Sequence, residues 1–100
     1  MRLLVLGMGG HLGTAVAQRV DRDAHATMLG LDIEPPRRLL RRAEFHLVVD
    51  PTTPRAARDI ARRIVDFAPT HVLHFAVYEP HARANQRAAH ARSLAFTDAL

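Results

Sequence analysis

Cysteine is absent from the 100 residues, which excludes disulfides, thiolate zinc sites and a cysteine nucleophile. Lysine is absent as well, so all 14 basic residues are arginine. Serine and asparagine occur once each, against 17 alanines. No apolar run approaches the ~18 residues of a membrane span. The stretch Leu3-Leu4-Val5-Leu6 runs straight into glycines; it is too short for the apolar region of a signal peptide and lacks the cleavage pattern. A cytoplasmic protein is expected, with no membrane partner.

Hydrophobic residues make up 48% of the chain and charged residues 24%, the balance of a soluble globular domain or part of one. Fourteen bases minus ten acids give +4. The pI of 11.2 follows from guanidinium groups, which do not titrate below about pH 12. The arginines are dispersed, seven against six acids in residues 1–50 and seven against four in 51–100. An Ala/Arg-rich, lysine-free chain fits coding composition better than a nucleic-acid footprint. No nucleic-acid partner is expected.

Short apolar runs alternate with amphipathic stretches, which predicts an α/β protein with a parallel sheet. Arg2 to Leu6 reads as a strand buried on both faces. Leu12, Ala15, Val16 and Val20 then share a helical face. Thr27 to Leu31 is a second strand, closed by Asp32, and Pro35-Pro36 stops any regular element. Arg37 to Arg42 fits a short helix or loop with Leu39 and Leu40 inward. Phe45 to Val49 reads as a third strand closed by Asp50-Pro51. Thr53-Pro54 opens a helix with a hydroxyl cap and proline at its first position, and Ala57, Ile60, Ala61, Ile64 and Val65 mark its buried stripe. Pro69 ends it. His71 to Val77 is a fourth strand, and a helical pattern runs from about Ala82 to Leu100. No capping glycine or proline closes that pattern. The chain is therefore expected to be the N-terminal portion of a larger domain.

Four of the five glycines fall in Gly7-Met8-Gly9-Gly10-His11-Leu12-Gly13, between the first strand and the first helix. Gly7, Gly10 and Gly13 have G-x-x-G-x-x-G spacing. Such a turn needs torsions that glycine alone adopts cheaply, and a side chain there would keep phosphate oxygens from the backbone. The first turn of a helix offers unpaired N–H groups and the positive end of the dipole. Together they predict a diphosphate site at Gly7, Gly10, His11, Leu12 and Gly13, with His11 able to hydrogen-bond a phosphate. Asp32 ends the second strand 19 residues after Gly13, near where dinucleotide folds place an acid on the adenosine ribose. That carboxylate favours NAD over NADP, because a 2′-phosphate ~4 Å away would meet repulsion of ~4 kcal/mol per charge pair at an effective dielectric of ~20. NADP stays open if Arg37 and Arg38 fold back toward it.

These residues resemble the extended short-chain dehydrogenase/reductase family, the NAD-dependent epimerases and dehydratases. The likeness rests on Gly7-x-x-Gly10-x-x-Gly13, on Leu31-Asp32, on Asp50 where the family has an acid near adenine, and on Pro69-Thr70-His71-Val72-Leu73-His74-Phe75-Ala76 as a fourth-strand motif. It covers nearly the whole chain. The resemblance implies a Rossmann-type doubly wound parallel sheet and adds Asp50, Phe75, Ala76 and Val77 as cofactor contacts. It implies hydride transfer on a nucleotide sugar or similar carbonyl or alcohol substrate, and a homodimer is compatible with it. The sequence departs from the family at Leu6, Gly9, His11 and Val77. The family's Tyr-x-x-x-Lys pair is missing: Tyr78 is the only tyrosine and Ala82 stands four residues on. In the family that pair lies well beyond position 100, so this chain is expected to bind a dinucleotide and catalyse nothing alone.

Two other classes fit in part. A methyltransferase binding S-adenosylmethionine also uses a glycine turn and an acid after the second strand, but favours glycines alternating at i and i+2. A non-catalytic sensor or scaffold would need no Tyr-x-x-x-Lys pair. The seven histidines suggest no metal site, since His71 and His74 point to opposite faces of a strand. Glu79 and His81 follow the fourth strand, where crevice loops lie, and Arg83 and Arg87 have the spacing of a solvated helix face.

Overall fold

The structure, a computed structural model, describes residues 1–76 and 86–100, with the side chains of all but 86–89. Val77, Tyr78, Glu79, His81 and Arg83 lie outside the described residues, as does the side chain of Arg87. The elements follow as β1 (Arg2–Leu6), α1 (His11–Val20), β2 (Thr27–Asp32), β3 (Ala43–Leu47), α2 (Pro54–Phe67), β4 (His71–His74) and α3 (Gln86–Asp98). The four strands form one sheet in the order β3-β2-β1-β4, every pair parallel. The fold class is thus α/β, compatible with a Rossmann-like arrangement.

Alternation along β1 builds both halves of the core. Leu4 and Leu6 join Leu29, Leu31, Val48, Ile60, Phe67 and Phe96 on one side, while Leu3 and Val5 join Met8, Ala17 and Met28 on the other. α2 and α3 contribute to the first cluster and α1 to the second. The sheet is covered on both faces, which is why β1 reads as an unbroken apolar run.

Two helical faces differ from expectation. On α1 the buried residues are Gly13, Thr14 and Ala17, with Leu12 and Ala15 exposed. The helix settles on its smallest side chains because they allow the closest approach to the turn beneath. On α2 Ala56, Ile60, Ile64 and Phe67 face the core, whereas Ala57 and Val65 are exposed. Phe67, at the helix end, supplies the larger anchor and rotates the stripe. Thr53 does cap α2, its Oγ1 accepting the Ala56 amide at 3.2 Å with Pro54 beside it.

No helix forms over Arg37 to Arg42, and Leu39 is 91% exposed. The segment is held by its backbone instead, the Arg41 and Arg42 amides each donating to the Asp21 carboxylate at 2.8 Å. Those amides, Arg41's foremost, hold the Asp21 carboxyl below its usual range. β3 therefore begins two residues earlier than expected, at Ala43, and Val49 lies beyond it in solvent.

Candidate functional site

β1, β2 and β3 all deliver their carboxyl ends to one edge of the sheet. The chain leaves β1 toward β2 and later returns on its other side as β4. Loops after strands on either side of such a reversal diverge and leave a crevice. The glycine turn occupies that point.

Each glycine of the turn meets a different constraint. Gly7 has φ +85°, and its amide donates to Leu31 O at 2.9 Å. A Cβ there would lie 2.5 Å from the Phe75 carbonyl carbon and the Ala76 nitrogen. The turn is thus pressed onto the chain leaving β4, and Gly7, Phe75 and Ala76 come together. At Gly13 a Cβ would stand 2.0 Å from Gly7 O, so only glycine lets α1 sit down on the turn. Gly10 differs. It caps α1 from an extended conformation without a side-chain hydrogen bond, and a Cβ there would meet nothing closer than Gly7 O at 3.5 Å. Packing does not require glycine at position 10. The first-turn amides of α1 consequently face neither a capping side chain nor an acidic residue of that turn. His11 and Leu12 lie exposed at this helix start.

Asp32 closes the other side of the turn. Its Oδ2 accepts the Gly9 amide at 2.8 Å and its Oδ1 the Ile33 amide at 2.7 Å. Burial pushes the carboxyl above its ordinary value and the neighbouring Glu34 adds to this, while the Ile33 and Gly9 amides oppose it. The Glu34 amide reaches the carboxylate as well, so three of its about four acceptor sites are taken. Asp50 sits in the turn before α2, fully exposed, with Oδ1 accepting the Thr52 hydroxyl at 2.6 Å and the Thr52 amide at 3.0 Å. The Thr52 hydroxyl, and then its amide, hold this carboxyl low. Its hydrogen bonds serve the start of α2 and do not reach the glycine turn.

Three residues important to the site have roles that the reading of the sequence did not assign. Thr14 is buried, donates to Met8 O at 2.7 Å, and accepts the Arg37 amide at 3.3 Å. It thereby ties the turn to the segment after β2 and brings the Arg37 backbone to the first turns of α1. Met8 is fully buried over Gly30, where a Cβ would come within 2.3 Å of the Met8 sulfur. A lone glycine inside a strand signals such a close approach. Gly9 is the third: a Cβ there would lie 2.1 Å from Glu34 O, so the chain leaving β2 runs directly against the turn.

Among the described residues no group of three or more histidines and acids could hold a metal ion, and no helix is long and apolar enough to cross a membrane. No protein-family model and no curated protein matches the chain. The class that the geometry defines is an α/β protein with an all-parallel four-stranded sheet and a glycine turn at its carboxyl edge.

Proposed function

We propose that this chain is the dinucleotide-binding portion, of Rossmann type, of an epimerase, dehydratase or reductase. The enzyme would transfer hydride to or from a nucleotide sugar or similar carbonyl or alcohol substrate. The observation that carries this reading is the contrast among the glycines. Gly7 and Gly13 are demanded by packing, but Gly10 is not. A side chain at Gly10 is absent where it would stand at the start of α1, over amides that suit a diphosphate.

In this reading Gly7, Gly10 and Gly13 shape the diphosphate cradle, His11 and Leu12 border it, and the acceptor site of Asp32 that its neighbouring amides leave open takes a ribose hydroxyl. Phe75 and Ala76 line the opposite wall, Val77 follows them, and Asp50 lies toward the adenine end. The cofactor preferred is NAD, because Asp32 repels a 2′-phosphate. Bound NAD would contribute hydride exchange; the residues of this chain bind and orient it. Acid–base groups and most of the substrate pocket would come from outside this sequence, since no Tyr-x-x-x-Lys pair is present. That same lack favours a second reading, a dinucleotide-binding sensor or scaffold without catalysis.

Calorimetric titration with NAD, NADP and S-adenosylmethionine tests the proposal. NAD is expected to bind most tightly. Gly10→Ala is expected to leave the circular dichroism spectrum unchanged and weaken NAD roughly tenfold or more, about 1.4 kcal/mol. Asp32→Arg is expected to move preference toward NADP. A folded chain that ignores both dinucleotides overturns the reading, and selective binding of S-adenosylmethionine replaces it with a methyltransferase.

A further inference from the structure

Between β2 and β3 the chain reads Arg37-Arg38-Leu39-Leu40-Arg41-Arg42. Sequence periodicity turns Leu39 inward, and the structure turns it out. All four arginines are exposed, and Leu39 between them is 91% exposed, more than any other large apolar side chain described. Leu40 is half-buried and packs on the α1 side of the core with Ala43 and Phe45. An open hollow of about 350 Å³ lies beside these residues and is lined also by Arg37 and Arg38.

The backbone of this segment is fastened at both ends. The Arg37 amide donates to Thr14 Oγ1 at 3.3 Å, and the Arg41 and Arg42 amides each donate to Asp21 at 2.8 Å. These bonds use main-chain groups of the segment and leave its side chains alone. Among the described residues none of the four guanidinium groups enters a hydrogen bond or an ion pair. Arg42 lies near enough to Asp21 to help hold that carboxyl low, but the Asp21 oxygens are engaged by amides. The arginines and Leu39 are thus displayed on a backbone that is ordered before any partner arrives, which lowers the entropic cost of association.

An apolar tip flanked by unpaired cations is complementary to a surface that is anionic outside and apolar beneath. A bilayer containing anionic lipids has both properties. We infer that Arg37 to Arg42 is a docking segment for such a bilayer. Leu39 enters the headgroup layer, and Arg37, Arg38, Arg41 and Arg42 pair with lipid phosphates, which guanidinium groups bind as forks. A nucleic-acid backbone would use the arginines and leave Leu39 in water. A protein partner would need an interface of about 800 Å² a side with a packed apolar centre, which one leucine does not supply. Among the described residues no helix is long and apolar enough to cross a membrane, and that bears on spanning, not on contact at its surface. One apolar side chain and four cations give a reversible association that requires anionic lipid and weakens with salt. This inference is independent of any cofactor.

Co-sedimentation of the chain with vesicles tests it. Binding is expected to vesicles of phosphatidylcholine and phosphatidylglycerol in equal parts, and not to phosphatidylcholine alone. Salt at about 1 M should release the chain. Leu39→Ser is expected to weaken binding roughly tenfold, and Arg38→Gln with Arg41→Gln roughly tenfold or more. Arg58→Gln with Arg62→Gln removes the same charge from exposed positions on α2 and should leave binding nearly unchanged. The chain has no tryptophan, so the emission of Leu39→Trp reports on this position alone. It should shift to the blue with the anionic vesicles and stay in place with duplex DNA. Should Leu39→Ser alter the circular dichroism spectrum, Leu39→Trp and the two arginine pairs decide. A chain that ignores anionic vesicles at low salt, an equal loss from the α2 pair, or a preference for duplex DNA untouched by Leu39→Ser overturns the inference.

Discussion

The Gly9 amide and the Asp32 carboxylate, 23 residues apart in sequence, meet at 2.8 Å in the interior of the protein. One hydrogen bond thus joins the turn after β1 to the end of β2. A buried carboxylate that braces backbone amides has consequences for stability that depend on pH.

Burial, with Glu34 adding to it, raises the Asp32 carboxyl above the ordinary 3.8. The folded protein therefore holds that proton more tightly than the unfolded chain does. Its favourable contribution is complete below 3.8 and is lost as pH rises through the higher folded value. The effect is about 1.4 kcal/mol for each tenfold difference in proton affinity. Denaturant unfolding of wild type and Asp32→Asn, compared at each pH from about 3 to 7, should show the wild type losing ground steadily to the variant. A difference that stays flat with pH would place this ionisation outside the folding equilibrium.

The glycines of the turn should separate cleanly in stability. Gly13→Ala drives a methyl group against the Gly7 carbonyl, a backbone atom that cannot step aside. A loss of about 1–3 kcal/mol is expected, the usual cost of overpacking. Gly10→Ala has room and should cost no more than about 1 kcal/mol, the loss of a tolerated cap residue. Urea midpoints at constant slope measure both, and equal losses at the two positions would contradict the packing described for the turn.

The elements that sequence periodicity located well are those whose side chains carry the reason for the structure. β1, the Thr53-Pro54 helix start and Asp32 at the end of β2 stand where apolar runs and capping chemistry place them. The face of α1 was not legible, because it is chosen by what Gly13 lacks rather than by what Leu12 offers. Residues 37–42 fail as a helix because the Arg37 amide finds Thr14 on α1 and the Arg41 and Arg42 amides find Asp21 at its C-cap, contacts that no local pattern encodes. Thr14 is similar: nothing adjacent in sequence announces that its hydroxyl will serve both Met8 and Arg37.

Thr14→Val tests that hydroxyl while keeping the volume of the side chain. It strands the Met8 carbonyl in the interior and frees the Arg37 amide, so a loss of about 1–3 kcal/mol is expected. Hydrogen exchange gives the sharper readout. The Arg37 amide should exchange faster in the variant, and Thr14→Ser should restore much of its protection. Unchanged exchange would mean that the segment after β2 is held by other contacts.

Ala68 ends α2 at φ +51°, where its amide donates to Ile64 O at 3.1 Å. A residue with a Cβ is strained in this left-handed conformation by about 1–2 kcal/mol. Ala68→Gly removes the strain but enlarges the freedom of the unfolded chain by about 0.4–1 kcal/mol. A net gain of up to about 1 kcal/mol is expected, seen as a higher melting temperature. A lower melting temperature would show that the cap is not strained.

His74 joins β4 to α3, its Nε2 standing 2.8 Å from Thr97 Oγ1. The Thr97 hydroxyl spends its proton on Ser93 O at 2.9 Å, so the imidazole must be the donor in this contact. Its Nδ1 is left as a buried lone pair with no hydrogen-bond partner among the described residues. Protonating that nitrogen sets an unsatisfied N–H in the interior, and burial accordingly pushes the ring below its usual 6.5. The folded state resists a proton that the unfolded chain accepts. The stabilisation is complete above 6.5 and is lost as pH falls through the lower folded value. The His74 ring signals in an NMR titration should therefore move at lower pH than those of an unfolded peptide, and α3 amides should lose exchange protection over the same interval. Thr97→Val removes the acceptor of the Nε2 proton and should weaken the docking of α3 at every pH. A His74 titration at or above 6.5 would show that Nδ1 finds water or a partner.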